Sequence, residues 1–272
     1  MSSFNTLFCK KIKITGKLTF ETAFHIGSGK EGELATNMGI LKEPDGRPVL
    51  PGSSLKGSFR SFAERLACHL GLTACLLDTK LSGINCVSDE TYRRQVNDEF
   101  KAKKTEAEKL AWLAYHTCDV CELFGSPFKS SRIFFGDGKL DLDSWARSVQ
   151  VRDGVCIDRD TETARPGAKY DFEVVPEGAQ FTINIDLENP SDKDLAFVES
   201  TLVEWENGFR LGGFTSRGLG RVFLTDRKVQ QVDYTDANQL KAYLLQREMS
   251  DVGNLLSQEL VKVLERQGGS HA

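Results

Sequence analysis

The amino-acid sequence predicts an α+β fold, in which antiparallel strands and amphipathic helices form one domain with insertions. Period-two alternation of apolar residues marks strands near both ends of the chain, and apolar residues at helical spacing mark helices between them. Hydrophobic residues make up 40% of the 272 residues and charged residues 27%, an ordinary balance for a globular domain. The formal net charge of −4 argues against a basic face that covers the whole domain, as a diffuse DNA binder would carry.

The first half of the chain predicts a strand, a helix, an insertion and a second strand. Residues 11–22 alternate as a half-buried strand does. Ser53 or Ser54 is expected to cap a helix with an apolar stripe on one side. Residues 89–116 predict one or two helices that interrupt the core, and residues 131–135 predict a short strand.

The second half completes the core. Residues 170–174 and 181–187 alternate on either side of a Pro-Glu-Gly turn and are expected to pair with each other. Ser191 is expected to cap the next helix, and residues 220–224 supply the last strand. The predicted core order is therefore β, α, β, β, α, β, the ferredoxin-like (RRM-like) arrangement with both helices on one face of the sheet. Two amphipathic helices close the chain.

Two glycine-rich basic segments are the main candidates for ligand binding. They read PGSSLKGSFR over residues 51–60 and LGGFTSRGLGR over residues 211–221. Glycine lets the backbone approach a ligand closely, and bare amides beside Lys or Arg suit phosphate. An ordinary turn is the alternative for either segment alone, whereas the pair favours a polyanion. We expect the two segments to converge on one ribose-phosphate strand.

A structural zinc site is predicted around Cys118 and Cys121. His116 stands two residues before this pair, and Cys86 stands about thirty residues earlier. Thiolate and imidazole ligands at such spacing form closed tetrahedral sites. The competing residues for the other two positions are Cys75 and His69.

A projecting hairpin is predicted in the long segment between residues 135 and 170. Residues 149–157 alternate in hydrophobicity, and residues 168–174 follow an Arg-Pro-Gly turn. Loops of this length are usually functional or disordered, and a mobile surface loop is the alternative.

The location expected from the sequence is the cytoplasm. No apolar run approaches the roughly 18 residues of a membrane span, and residues 1–17 lack the apolar region of a signal peptide. The odd number of cysteines, seven, fits reduced thiols or a metal site better than a disulfide framework.

Five segments are distinctive, namely HIGSG, PVLPGSSLKGSFR, CDVCELFGSPFKSSRIFFGDG, VCIDRDTETARPGAKYDFEVVPEG and LGGFTSRGLGRV. Taken together, they resemble the RAMP proteins of CRISPR effector complexes, above all the backbone subunit of type III (Csm and Cmr) complexes. The resemblance runs in order from about residue 12 to residue 224. It implies an RNA-binding domain over residues 1–225, with a helical zinc-bearing insertion at about 71–125, a thumb-like arm at about 137–170 and a C-terminal helical extension over 226–272.

The resemblance implies a subunit that binds guide RNA (crRNA), helps to present target RNA in antiviral defence and stacks head to tail with copies of itself or with related subunits. Other CRISPR effector subunits would be its partners, and no membrane is involved. The thumb-like hairpin would insert between bases of the guide and target duplex. The implied RNA contacts are His25, Ser53, Ser54, Lys56, Arg60, Arg132, Arg159, Arg165, Gly212, Gly213, Ser216, Arg217 and Gly218.

Catalytic members of that family cut target RNA with an aspartate in the loop after the first strand. Alignment backwards from the Pro-Gly-Ser-Ser motif places Asn37 at this position, and a carboxamide is a far weaker base and metal ligand than a carboxylate. We therefore expect a catalytically weak or silent subunit, which would need Mg²⁺ or another divalent ion only if it cleaves. Two alternatives remain, a metal-dependent target-RNA endonuclease and a zinc-stabilised protein-interaction module without RNA. The acidic residues that could take the catalytic role are Glu31, Glu33, Glu43 and Asp45.

Overall fold

The computed structural model describes residues 7–33, 36–75, 86, 90–127 and 129–268. Within these residues the chain is α+β, as the sequence predicts, with strands arranged in two sheets. The strands are β1 (Lys10–Phe20), β2 (Gly27–Glu33), β3 (Thr36–Ile40), β4 (Ile133–Phe135), β5 (Lys139–Leu140), β6 (Gln150–Ile157), β7 (Ala164–Val174), β8 (Gln180–Glu188), β9 (Phe209–Arg210), β10 (Arg221–Asp233) and β11 (Ser250–Asp251). The α-helices are α1 (Gly52–Ala67), α2 (Glu90–Ala102), α3 (Glu106–His116), α4 (Asp119–Phe124), α5 (Asp192–Asn207), α6 (Ala237–Gln246) and α7 (Leu255–Gly268).

The larger sheet contains the first strand at its centre. Its order is β11-β10-β1-β8-β4, with β5 also paired to β8 and β9 to β10, and all these pairs are antiparallel. Ile14 of β1 lies opposite Val229 on one side and Ile185 on the other. The predicted alternation of β1 is confirmed, because its apolar residues are buried while the lysines between them are only half-buried.

Helices α1 and α5 pack together over the apolar face of this sheet. Phe59 of α1 and Trp205 of α5 are both fully buried, and their rings meet edge to face with centroids 5.0 Å apart. The predicted cap of α5 is confirmed. The Ser191 side chain accepts from the Asp194 amide, and the Asp194 carboxylate accepts from the Ser191 amide. This reciprocal pairing satisfies two amides at the start of the helix.

The predicted cap of α1 is wrong, because the helix begins at Gly52 without a side-chain cap. Pro51 precedes it, and the Pro51 carbonyl accepts hydrogen bonds from the amides of Ser54 (3.0 Å) and Leu55 (3.1 Å). The amide of Gly52 donates to Asp137 Oδ1 at 2.7 Å. A carboxylate from the turn between β4 and β5 therefore covers the end of the helix that a serine was expected to cap.

The smaller sheet has the order β2-β3-β7-β6. The predicted hairpin is present, since β6 and β7 pair antiparallel from Gln150 opposite Val174 to Ile157 opposite Ala164. The predicted pairing of residues 170–174 with 181–187 is wrong. Both edges of β8 are taken by strands of the larger sheet, and β7 pairs with β6 and β3 instead. A period-two pattern identifies strands but not their partners.

The last helix, α7, is joined to the core at a buried ion pair. Glu199 of α5 is 2% exposed, and Arg227 of β10 donates to both of its carboxylate oxygens at 2.6 and 3.2 Å. Ser257 of α7 donates to the same carboxylate at 2.7 Å. One carboxylate thus joins α5, β10 and α7. Within the described ranges, the structure contains no helix with the length and hydrophobicity needed to cross a membrane.

Candidate nucleic-acid interface and metal centre

Four buried cysteines form one cluster between the start of the insertion and α4. The Sγ atoms of Cys75, Cys86, Cys118 and Cys121 all lie within 4.8 Å of one another, and those of Cys75 and Cys121 are 3.5 Å apart. Four thiolates around a zinc ion at about 2.3 Å would be about 3.8 Å apart. The cluster therefore has the size and the donor set that can hold a metal ion.

Backbone amides and an arginine beside the cluster stabilise the deprotonated, thiolate form of the cysteines. The amide of Cys118 donates to Cys86 Sγ at 3.2 Å, and the amide of Cys121 donates to Cys118 Sγ at 3.4 Å. The hydrogen bond with the Cys121 side chain is the main cause that lowers the pKa of Cys118 to about 7, whereas hydrogen bonding with Cys118 raises the pKa of Cys86 and of Cys121, so the proton is shared unequally within the cluster. Arg60 places Nη2 3.3 Å from Cys121 Sγ, which puts a cation beside a cluster that is negative when deprotonated.

His116, which the sequence predicts as a ligand, does not belong to the cluster, and Cys75 lies there instead. His116 is the last residue of α3, and its ring stacks on Trp112 with centroids 4.0 Å apart. Its Nδ1 lies 2.9 Å from the Trp112 carbonyl oxygen. Cys75 reaches the cluster because its loop is fastened to α4, where the amide of Thr73 donates to Asp119 Oδ2 at 2.8 Å. The other alternative, His69, is exposed.

The first glycine-rich segment turns its cations towards the protein. Lys56 donates to Ser131 Oγ at 3.0 Å, and Arg60 pairs with Glu64 at 2.9 Å in addition to its contact with the cysteines. Burial, and to a smaller extent the charge of Arg60, lower the pKa of Lys56. Ser53 is exposed and Ser54 is half-buried. Among the RNA contacts predicted in this segment, Ser53 is therefore the most exposed to solvent.

The second glycine-rich segment folds onto the chain that follows β1. The amide of Gly213 donates to the carbonyl oxygen of His25 at 2.8 Å. Gly212 has φ +97°, and a Cβ there would lie 2.4 Å from the same carbonyl oxygen, so only glycine fits. The turn beyond it, from Ser216 to Gly218, is exposed. This segment thus presents backbone and an arginine to solvent.

An aromatic cluster joins this turn to the hairpin. Phe214 stacks on Phe172 of β7 with centroids 4.3 Å apart, and Arg217 lies 5.7 Å from the centre of the Phe214 ring. Arg217 also donates through Nη1 to the Tyr170 hydroxyl. His25 is 7% exposed, and its Nδ1 lies 2.7 Å from the Glu173 carbonyl oxygen. Sequence reasoning assigned Tyr170 and Phe172 to a strand and missed Phe214, whose position between glycines was the available signal.

The remaining predicted contacts differ in exposure. Arg132 pairs with Glu122 at 2.8 Å and with Asp194 at 3.1 Å, so its charge is compensated within the protein. Arg159 and Arg165 are exposed on the hairpin. This leaves the two hairpin arginines, with Arg217, as the predicted arginine contacts that face solvent.

The backbone of Asn37 belongs to β3, but its side chain lies outside the described part of the structure. The same holds for the side chains of Glu31 and Glu33 in β2. Of the other acidic alternatives, Glu43 is exposed, and Asp45 pairs with Arg47, a bond that lowers the pKa of Asp45.

The two glycine-rich segments are connected through a short series of backbone hydrogen bonds. Gly213 bonds to His25, Leu41 bonds at 2.8 Å to the residue after His25, and Val49 bonds at 3.1 Å to Leu41. Pro51 follows two residues later. With strands spaced about 4.8 Å apart, this path places the segments on the order of 15–20 Å apart. Their convergence on one RNA strand stays a prediction.

Comparison with known proteins identifies similar chains. The model of the RAMP superfamily matches residues 17–222. CRISPR system Cms endoribonuclease Csm3 of Enterococcus italicus is 25% identical over 228 residues, which cover 78% of this chain and 88% of that protein. The protein of the same name from Methanocaldococcus jannaschii is 25% identical over 246 residues, covering 84% and 85%. The one from Streptococcus thermophilus is 26% identical over 243 residues, covering 82% and 90%.

Proposed function

The chain belongs to the RAMP superfamily, and from this premise we propose that it is a backbone subunit of a type III CRISPR effector complex that binds guide RNA and helps to present target RNA. The observation that carries the proposal is the folded segment 211–221. It exposes the turn around Arg217 beside the aromatic side chains of the hairpin. Guanidinium, bare amides and aromatic faces together suit a single RNA strand.

The finer description of the fold belongs to this proposal. The elements β1, α1, β4, β8, α5 and β10 give the order β, α, β, β, α, β, with β4 in the position predicted for residues 170–174, and the sheet order β10-β1-β8-β4 supports the proposal of a ferredoxin-like core. The domain limits, residues 1–225 with the insertion and the thumb-like arm and residues 226–272 as the helical extension, stay predictions. So does the cytoplasmic location.

The metal proposed for the cysteine cluster is zinc. Four cysteines are the donor set of closed structural zinc sites, and the amide-to-sulfur bonds and Arg60 fit their negative charge. Protein ligands fill all four positions, so the ion would hold the insertion together and would activate no water.

We propose that the subunit is catalytically weak or silent because Asn37 replaces the aspartate. The competing function, a metal-dependent target-RNA endonuclease, is favoured by the printed name of the relatives, which are called endoribonucleases. A general base typically accelerates a reaction by about 10²- to 10⁴-fold, so a subunit without one should cut target RNA slower by that factor than an active endonuclease.

A cleavage assay on the assembled complex tests the silent subunit. With Mg²⁺ present, the unmodified complex should leave target RNA intact opposite this subunit, and Asn37→Asp should restore cutting there. Asn37→Ala serves as the matched control and should resemble the unmodified complex. Cutting by the unmodified complex that a Glu31→Gln, Glu33→Gln or Glu43→Gln substitution abolishes would refute the proposal.

RNA binding itself is tested by the RNA that copurifies with the chain and by the salt dependence of its affinity. Arg217→Ala should weaken binding irrespective of sequence and reduce the slope of log affinity against log salt by about one. Lys241→Ala, an exposed lysine on α6, is the matched control and should leave the slope unchanged. If Arg217→Ala and Lys241→Ala show the same slope of log affinity against log salt, or if no RNA copurifies, the protein-interaction module would be favoured instead.

The partners proposed for the subunit are crRNA, target RNA, other CRISPR effector subunits and head-to-tail copies of itself or of related RAMP subunits. Cross-linking of the assembled complex followed by mass spectrometry would identify the neighbours on each side.

A further inference from the structure

A cavity of about 570 Å³ lies between the hairpin and the second glycine-rich segment. Its volume is within the 300–1,000 Å³ typical of ligand pockets. One wall is the hairpin strand β6 from Arg152 to Ile157, whose residues Val155 and Ile157 are 49% and 60% exposed. An aromatic wall is formed by Tyr170 and Phe172 of the paired strand β7 together with Phe214 of the second glycine-rich segment. The cavity therefore exposes apolar side chains of the hairpin to solvent.

The aromatic wall has three rings that lie nearly parallel. Phe214 is inclined by 28° to Phe172 and by 17° to Tyr170. Tyr170 lies across Gly154 of the neighbouring strand, where a Cβ would come within 2.2 Å of the Tyr170 ring, so glycine is needed for this placement. Phe214 therefore stacks on the aromatic side chains of the hairpin, and all three rings border the cavity.

Phe214 reaches this surface through an unusual backbone conformation. Its φ is +57°, in the left-handed region that favours glycine, although glycines flank the segment on both sides. An aromatic side chain in such a conformation is unfavourable for folding, and such outliers concentrate at ligand sites. The strain is an observation independent of the cavity, and both point to the same ring.

Charge around the cavity suits an anion attached to a flat apolar group. Arg152 and Arg217 line it, and the acid between them, Asp153, is paired with Lys169 at 3.4 Å. Arg217 uses one donor for Tyr170, and a guanidinium has further N–H groups for a phosphate. A base with its own phosphate combines these two properties, a π-face and a negative charge.

We infer that this cavity binds one unpaired nucleobase of single-stranded RNA, stacked on Phe214, with its phosphate at Arg217. The inference rests on the proposed function and adds a base-stacking site to the phosphate contacts. The base would lie beside the paired strands of the hairpin, where Tyr170 and Phe172 stand opposite Gly154 and Arg152, and not at the turn of residues 158–163. Stacking is sequence-tolerant, so no preference among bases is expected.

The test compares two single-stranded RNAs of equal length and phosphate number, one with all its bases and one with abasic riboses. The full-length protein should bind the intact RNA more tightly by about 5- to 150-fold. Phe214→Ala should bind both RNAs equally, at the level of the abasic one. Phe214→Tyr should keep the preference, and Phe134→Ala, an exposed phenylalanine on β4, is the matched control and should keep it too.

Each result decides for or against the cavity. If the unmodified protein binds intact and abasic RNA equally, the base site is absent although the phosphate-binding function stands, and an apolar peptide becomes the better occupant. If it binds neither RNA, the proposed function falls with the inference. Phe214→Leu keeps the apolar volume but removes the flat face, so it should also lose the preference. Retention by Phe214→Leu would show that packing, not stacking, underlies the effect and would overturn the inference.

Discussion

Replacement of Cys75 by serine tests which residues complete the metal centre. The structure places Cys75 with Cys86, Cys118 and Cys121, all nearly buried, and leaves His116 stacked on Trp112. Cys75→Ser should therefore lose zinc, whereas His116→Ala should keep one zinc per chain. Sequence spacing alone predicted the opposite for His116.

The expected loss of stability follows from ligand linkage. A metal present at a thousandfold excess over its dissociation constant stabilises the folded state by about 4 kcal/mol. In a domain of 150–250 residues, 1 kcal/mol shifts the melting temperature by about 2–4 °C. Cys75→Ser should thus melt about 8 °C or more below the unmodified protein. His116→Ala loses one hydrogen bond and one ring contact, worth about 1 kcal/mol, and should melt about 2–4 °C lower.

The assay combines zinc content by elemental analysis with melting followed by differential scanning fluorimetry, before and after a chelator. The chelator should lower the melting temperature of the unmodified protein and of His116→Ala, and should leave Cys75→Ser unchanged. Full zinc in Cys75→Ser together with zinc loss in His116→Ala would refute the ligand assignment. Full zinc in neither variant and no effect of the chelator would refute the metal itself.

Three further predictions concern stability and charge. Glu199→Gln should lower the free energy of unfolding by about 1–3 kcal/mol in urea titrations, because it removes the buried carboxylate that pairs with Arg227, although Glu206 at 3.0 Å remains as a second anion; a loss below about 0.5 kcal/mol would contradict this. Gly220→Ala should lower the free energy of unfolding by at least about 1 kcal/mol, because φ is +75° and a Cβ would lie 2.1 Å from the Leu211 carbonyl oxygen. Gly57→Ala is the control and should raise the free energy of unfolding slightly, because Gly57 lies within α1 with open space around it. Asp137→Asn should tighten RNA binding about two- to fivefold in fluorescence anisotropy, because it removes an anion from the start of α1; unchanged affinity would place this helix end away from RNA.

Much of the fold was predictable because local patterns specify local structure. The alternation in β1, the capping box of α5 and the β6–β7 hairpin depend on residues close together in the chain, and the structure contains all three. The pairing of β7 with β8 was wrongly predicted because the shortest connection was assumed to join partners. In the structure, β1, far away in sequence, competes successfully for the edge of β8.

The sequence predicted the types of residue in the candidate site better than the particular residues that the structure brings together there. The sequence identified a cysteine-based metal centre and the glycine-rich backbone, because both depend on residue type. It chose His116 over Cys75 because spacing cannot show that α3 ends with its histidine folded onto Trp112. It also counted Arg60 and Arg132 as RNA contacts. Arg60 pairs with Glu64 one turn away on the same helix, and Arg132 pairs with Glu122 and Asp194, which folding brings to it.

By itself, the sequence determined the α+β class, the family resemblance, the presence of a thiol-rich centre and the absence of an aspartate at residue 37. Only the tertiary structure decided which cysteine completes that centre, which cations are already neutralised, and that Phe214 meets Phe172 and Tyr170 in a cavity. The physical reason is that residue types and short-range hydrogen bonds are fixed along the chain. Ion pairs, thiol clusters and ring stacking form between residues that only folding brings within a few ångströms.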